Sequence, residues 1–262
     1  MSVIQNQMKQ KMLNGKFVAS LNANRWKSVD IAEIAAISGF DWLFIDLEHS
    51  VLSEEMAGQI ALMSLRTGVT PIARVGTDQW YQASRVLDAG CQGVVFPHID
   101  TVEQAVRAVS AVKYPPLGLR SLSSPCPQAY FGKASSVDAM QKLNQETLVI
   151  VMVETQQSLD ALDKICAVPG VDGVMIGTND LAATLGHPGE LGHKEVVEAY
   201  AHVGAICKKH HVFFGMGGVY NEALIRQYLS MGVQFMLGGA DISLLMDAAK
   251  IRRDMIVACT PS

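Results

Sequence analysis

The chain has no sustained run of Lys and Arg and no basic stretch interleaved with aromatic residues, which excludes the electrostatic footprint of a nucleic-acid binder. Its 21 basic and 25 acidic residues leave a net charge of −4, so the expected partner is a small molecule. No stretch approaches the ~20 apolar residues of a membrane-spanning helix. The opening MSVIQNQMKQKML is too polar for the apolar centre of a signal peptide, and a soluble, cytoplasmic protein is expected. The five cysteines (Cys91, Cys126, Cys166, Cys207 and Cys259) are scattered without CxxC spacing, which argues against a zinc knuckle and against a disulfide framework. Neither GxGxxG nor GxxxxGK[ST] occurs, so neither a dinucleotide fingerprint nor a P-loop is present. Internal repeats and low-complexity segments are also lacking.

What is present is an alternation. Short, β-rich apolar runs occur at 16–23, 42–49, 70–75, 93–99, 147–154, 173–178, 212–218 and 234–240, giving eight candidate strands. Between them, segments such as 30–39, 78–90, 101–113, 158–170, 195–211 and 222–232 repeat apolar residues at three- and four-residue intervals, the period of helices covering a sheet. Gly39, Gly90, Gly170 and Gly232 stand just before the next strand, as left-handed helix caps do. Strands apolar throughout imply burial on both faces, and eight strand–helix units in 262 residues predict a single α/β domain over 1–262, a (β/α)8 TIM barrel. An open doubly wound sheet is the rival. The irregular stretch 114–136, rich in Pro, Gly and Ser, is expected as a long loop above strand four.

Barrel chemistry gathers at the C-terminal ends of strands, and here the ionisable residues concentrate there. Strand two ends in Asp46, Glu48 and His49, strand three in Arg74, strand four in His98 and strand five in Glu154; strand six runs into Asn179 and Asp180. Glu154 and Asp180 follow apolar runs on adjacent strands, and two anions so close repel unless a cation or proton intervenes. They suit a hard divalent ion completed by water and substrate oxygens; the alternative is that Glu154 caps a loop and Asp180 caps the helix LAATLG. Arg74 suits a carboxylate or a developing oxyanion, or else an internal salt bridge to Asp46 or Glu48. His49 is placed to accept a proton, while Asp46, Glu48 and His98 are possible pocket residues. The glycines after strands seven and eight fit a phosphate cradle or simply tight βα turns.

FDWLFIDLEHS (40–50), PIARV (71–75), YPPLGLR (114–120), VMVET (151–155) and VDGVMIGTNDLAATLG (171–186) resemble the HpcH/HpaI aldolase family over nearly the whole chain. The resemblance implies a class II aldolase on a (β/α)8 barrel, often a homohexamer or trimer of dimers, cleaving 4-hydroxy-2-oxo acids to pyruvate and an aldehyde through a metal-stabilised enolate. It places the metal (Mg2+, Mn2+ or Co2+) on Glu154 and Asp180, the base on His49 and the stabilising arginine on Arg74. It also implies that Asp88 raises the basicity of His49; lying at the end of a helix, Asp88 would do so only from a neighbouring subunit, and is otherwise an ordinary surface acid. Met152 and Asn179 stand where some members carry glutamine and alanine, which bears on substrate contacts. The loop 121–132 lacks the arginine-containing version associated with dicarboxylate-cleaving members.

Three alternatives stay open. A Schiff-base aldolase needs a desolvated lysine at a strand end, and none of the eight ends carries one. A citryl-CoA-type lyase or an isomerase would use the same enolate chemistry. A non-catalytic barrel could bind an oxo acid as a sensor.

Overall fold

The structure, a computed structural model, describes residues 3–132 and 136–260. Eight parallel strands, β1 (Val18–Ala23), β2 (Trp42–Asp46), β3 (Thr70–Arg74), β4 (Gly93–Phe96), β5 (Leu148–Val153), β6 (Gly173–Gly177), β7 (Phe213–Gly217) and β8 (Phe235–Ala240), pair in sequence order, and β8 closes on β1. Closure excludes the open-sheet rival. Every expected strand is present, because the apolar runs are buried on both faces: β2, β3 and β5 contain no exposed residue.

Helices alternate with the strands. The periodic segments become α2 (Ile31–Ile37), α4 (Trp80–Asp88), α5 (Val102–Val112), α7 (Gln156–Cys166), α9 (Lys194–His210) and α10 (Glu222–Ser230). The four glycines expected as caps all have positive φ, between 80° and 127°. Further helices fill the remaining connections: α3 (Glu54–Thr67), α6 (Val137–Glu146) and α8 (Thr178–Thr184). An N-terminal helix, α1 (Gln7–Leu13), buries Met8 and Met12. These join an interior cluster with Trp42, Phe44, Ile72, Ile150, Met175 and Phe235, so the barrel is packed with side chains rather than hollow. The last helix, α11 (Asp241–Ala258), buries only its first residue. Among the described residues, no helix is long and apolar enough to cross a membrane.

The loop 114–136 is not above strand four. The chain leaves the top of β4, returns along α5, and only then enters the irregular segment, so the segment belongs to the lower rim. There Gln128 donates to the carbonyls of Leu87 and Cys91 in the α4–β4 turn, and Ile4 donates to the Gln128 carbonyl. Residues 133–135 lie outside the described residues.

Candidate active site

β2 and β3 run side by side with Asp46 opposite Arg74. Arg74 donates from Nε to Asp46 Oδ1 at 2.9 Å and from Nη2 to Oδ2 at 2.7 Å, a bidentate fork. Asp46 Oδ1 also accepts the amides of Glu48 and His49, at 3.1 and 3.2 Å, and Asn24 Nδ2 donates to Oδ2 at 2.8 Å. Burial alone would raise the Asp46 pKa; the hydrogen bonds and charge of Arg74, with the two amides, outweigh it and hold the carboxyl below its usual range. Arg74 is shifted the other way, upward: burial opposes its charge, but Asp46, Glu48 and Glu154 together more than restore it. The internal salt bridge weighed for Arg74 is therefore present. Asp46 is an orienting residue, fully engaged beneath the rim.

Glu48 stands at the centre of the rim. Its Oε2 lies 3.1 Å from Arg74 Nη1, without the alignment of a hydrogen bond, and 3.7 Å from His49 Nε2. Its Oε1 lies 3.7 Å from His98 Nε2 and accepts from Thr77 Oγ1 at 3.4 Å. His49 extends outward, its side chain 64% exposed. His98 takes a left-handed backbone conformation, φ 51°, which aims its amide at Glu154 Oε2 (2.9 Å) and leaves its Nδ1 3.3 Å from the same oxygen. A non-glycine residue in that region costs free energy and persists only where its surroundings impose it.

Glu154 follows β5 at once. Its amide donates to Ser158 Oγ and its carbonyl accepts from Thr184 Oγ1, so both α7 and α8 fix its backbone. Its carboxylate pKa is raised, chiefly by burial, and the charges of Asp180 and Glu48 add to the rise against the opposing His98. Asp180 is exposed in the first turn of α8. The helix starts at Thr178, with Gly177 as its N-cap, so the cap role weighed for Asp180 is not the one it has. A Cβ on Gly177 would stand 2.5 Å from Glu154 Oε1. Glycine at that position leaves the carboxylate its space.

Asp46, Glu48, Glu154 and Asp180 thus bring carboxylates to one part of the rim, where Arg74 engages the first two. The carboxylates of Glu154 and Asp180 make no ion pair with Arg74 of the kind Asp46 and Glu48 make, and an all-oxygen donor pair fits a hard divalent ion. Asn179 lies beside them, exposed, its Nδ2 against the backbone of Gly218. Met152, at a position that bears on substrate contacts, is buried in the barrel interior with Ile150 and Met175. Asp88 ends α4 on the lower rim, where it accepts from Arg120 Nη2 at 2.7 Å. Within one chain it and His49 lie at opposite ends of the barrel.

Residues 23–248 match the model of a family described as HpcH/HpaI aldolase/citrate lyase. The chain belongs to that family. Over 253 residues it is 34% identical to a 5-keto-4-deoxy-D-glucarate aldolase of Citrobacter koseri, covering 93% of this chain and 96% of the relative. It is 33% identical over 248 residues to a hydroxypyruvate/pyruvate aldolase of Sagittula stellata, covering 91% and 96%. An HpcH/HpaI aldolase from Desulfitobacterium hafniense superposes with a TM-score of 0.89 at 26% identity, covering 97% of each chain. The expected enzyme class, a carbon–carbon lyase of the aldolase type, is borne out.

For this HpcH/HpaI family member, reading the strand ends found the acids and bases but missed their supports. Ser158 looks like an ordinary first residue of a helix, and Asn24 and Thr77 look like ordinary loop residues in sequence. So does Asp241, whose Oδ2 accepts the amides of Asn24, Arg25 and Trp26 at 2.7–3.0 Å and so shapes the β1 loop. Gly177 had one available signal: it is the glycine directly before the helix that carries Asp180.

Proposed function

We propose that this lyase is a divalent-metal-dependent aldolase, with Mg2+, Mn2+ or Co2+ held by Glu154 and Asp180. It reversibly cleaves 4-hydroxy-2-oxo acids to pyruvate, or a similar small 2-oxo acid, and an aldehyde. The barrel is read as the TIM type, one domain over 1–262, in a cytoplasmic protein. The observation that carries the reading is Glu154, a buried carboxylate pushed up in pKa by its burial and by two neighbouring acids. A cation answers that surplus of negative charge. When bound, the metal supplies Lewis acidity toward the oxygens of a 2-oxo acid.

The protein's own groups divide the remaining work. The His98 amide holds one Glu154 oxygen, so the carboxylate keeps its orientation. Asp46 occupies Nε and one Nη2 hydrogen of Arg74 and Glu48 stands 3.1 Å from Nη1, fixing the guanidinium, whose remaining N–H serves as a donor for the keto oxygen, an oxyanion-hole role. His49, through its exposed Nε2 and a water, takes the proton of the 4-hydroxyl in cleavage and a C3 proton in the reverse direction. Asn179 offers amide hydrogen bonds to the bound acid.

The same reading makes the enzyme a homo-oligomer, a hexamer or trimer of dimers. α11 leaves Leu245, Met246, Ile251 and Met255 more than half exposed, and a cleft of about 270 Å³ between it and α2 is lined by Trp26, Ile34, Phe40 and Leu244. On the lower rim Leu119, Tyr130 and Phe131 are exposed as well. In such an assembly Asp88 would reach the His49 of another subunit. The test is pyruvate release from 4-hydroxy-2-oxo acids after chelation and after restoring Mg2+, Mn2+ or Co2+. Activity lost and then restored is expected; chelator-resistant activity would remove the metal from the reaction.

A further inference from the structure

The connection between α8 and α9, HPGELGH (187–193), lies outside the catalytic rim and carries donors that the aldolase reaction does not use. Its backbone makes two successive turns: the Glu190 amide donates to the His187 carbonyl at 3.0 Å, and the His193 amide donates to the Glu190 carbonyl at 2.9 Å. Pro188 and Gly189, the latter with φ 81°, fill the central positions of the first turn, the arrangement a type II turn requires. The two turns bring the side chains at positions 187, 190 and 193 together. The imidazoles of His187 and His193 stack with centroids 3.3 Å apart and planes 23° from parallel. One donor atom each from His187, Glu190 and His193 lies within 4.8 Å of the others. Glu195 Oε2, 3.4 Å from His187 Nε2, supplies a fourth donor.

We propose that His187, Glu190 and His193 form a second divalent-metal site, completed by Glu195 or water, that binds a borderline cation of the Zn2+ type. Imidazole is the commonest protein ligand of such ions, and here two stand side by side. Donors on a tetrahedral Zn2+ with bonds of about 2.0–2.1 Å stand about 3.4 Å apart, a contraction that rotation of these partly exposed side chains supplies. Two nitrogens and a carboxylate suit Zn2+, Ni2+ or Cu2+ over the hard ions that suit Glu154 and Asp180, so the two sites sort metals by donor type. Coordination requires His193 Nδ1 to release the Glu195 amide, a long contact of 3.3 Å at a helix start that water can replace. The loop is already fastened on its other side, where Tyr228 Oη donates to the Leu191 carbonyl and Gly192 packs against Leu224. A bound ion would pin the end of α8, the helix that presents Asn179 and Asp180.

The experiment measures Zn2+ binding by equilibrium dialysis, and the visible spectrum with Co2+, on the full-length E154Q/D180N chain, in which the catalytic ligands are removed. One equivalent of Zn2+ is expected to remain, and adding His187→Gln and His193→Gln should lower its affinity by more than about tenfold, the least that even outer-shell changes can cost. Glu190→Gln, which keeps both rings and both turns, should weaken binding as well. The proposal is overturned if the E154Q/D180N chain binds no Zn2+, or if Glu190→Gln and the paired histidine change leave its affinity where it was.

Discussion

The two rims of the barrel both hold buried ions, and they treat them in opposite ways. At the lower rim, Lys113 Nζ donates to the carbonyls of Asn144 and Thr147 and to Asp172 Oδ2, while Asp172 also receives Lys9 and the Val149 amide. Burial lowers the Lys113 pKa, and Asp172 works against that. The Lys113 ammonium finds three acceptors, and this network closes on itself. At the upper rim Asp46 and Arg74 satisfy each other in the same way, but Glu154 has one backbone amide, the His98 imidazole 3.3 Å away and two like-charged neighbours. A network that closes is a fastening, whereas one that keeps a surplus of a single sign is a receptor.

That contrast is open to measurement. The largest effect is expected from Glu154→Gln, which should lower metal affinity by more than about 100-fold, above the range for outer-shell changes, and take cleavage with it. Because the wild-type carboxylate has a raised pKa in the folded chain, it favours folding only when protonated, and the sign is a stability that falls as pH rises through that value. The variant should therefore unfold at the same or a higher temperature than wild type at neutral pH without metal; a clear fall in Tm would place Glu154 among the fastenings. His49→Ala should reduce turnover by about 10²–10⁴-fold, the range for a general base, with metal binding unchanged in a direct titration. Unchanged turnover would remove His49 from the reaction.

At the opposite rim the same kind of change should act on stability alone. Asp172→Asn leaves Lys113 buried without its carboxylate and is expected to destabilise by about 3–5 kcal/mol in urea unfolding, with kcat per folded molecule unaltered. Loss of kcat without loss of stability would contradict the division between rims. The smallest effect sharpens the division within the upper rim. Asp46 has a lowered pKa, so its contribution is present above the ordinary aspartate value of about 3.9 and is lost as pH falls from there through the folded value. The stability gap between wild type and Asp46→Asn should narrow over that acid range, and a gap independent of pH would mean the Arg74 fork contributes nothing through its charge.

Much of this was legible in the sequence for a specific reason: strands buried on both faces are written as unbroken apolar runs, and an ionisable residue that ends such a run has few roles other than chemistry. Asp46, Arg74 and Glu154 were found that way. The placement of 114–136 was not, because Pro, Gly and Ser mark a loop without saying which rim it occupies; direction along the chain decides that, and α5 had already brought the chain down. Asp favours a cap position, so Asp180 reads as a cap in sequence, yet the helix starts two residues sooner, at Thr178, with Gly177 as its N-cap. Met152 faces inward one layer beneath Glu154, a distinction of depth that a run of apolar letters does not carry.

The uncovered α11 has a consequence of its own. An isolated helix of eighteen residues gains little stability from its backbone alone in water, so its folded state in this chain is expected to be supported by contacts outside the barrel that bears it. When folding is coupled to association, the melting temperature ceases to be a constant of the sequence and rises with protein concentration. In the assembly proposed above, dilution would act as a denaturant, reaching the last helix before the barrel.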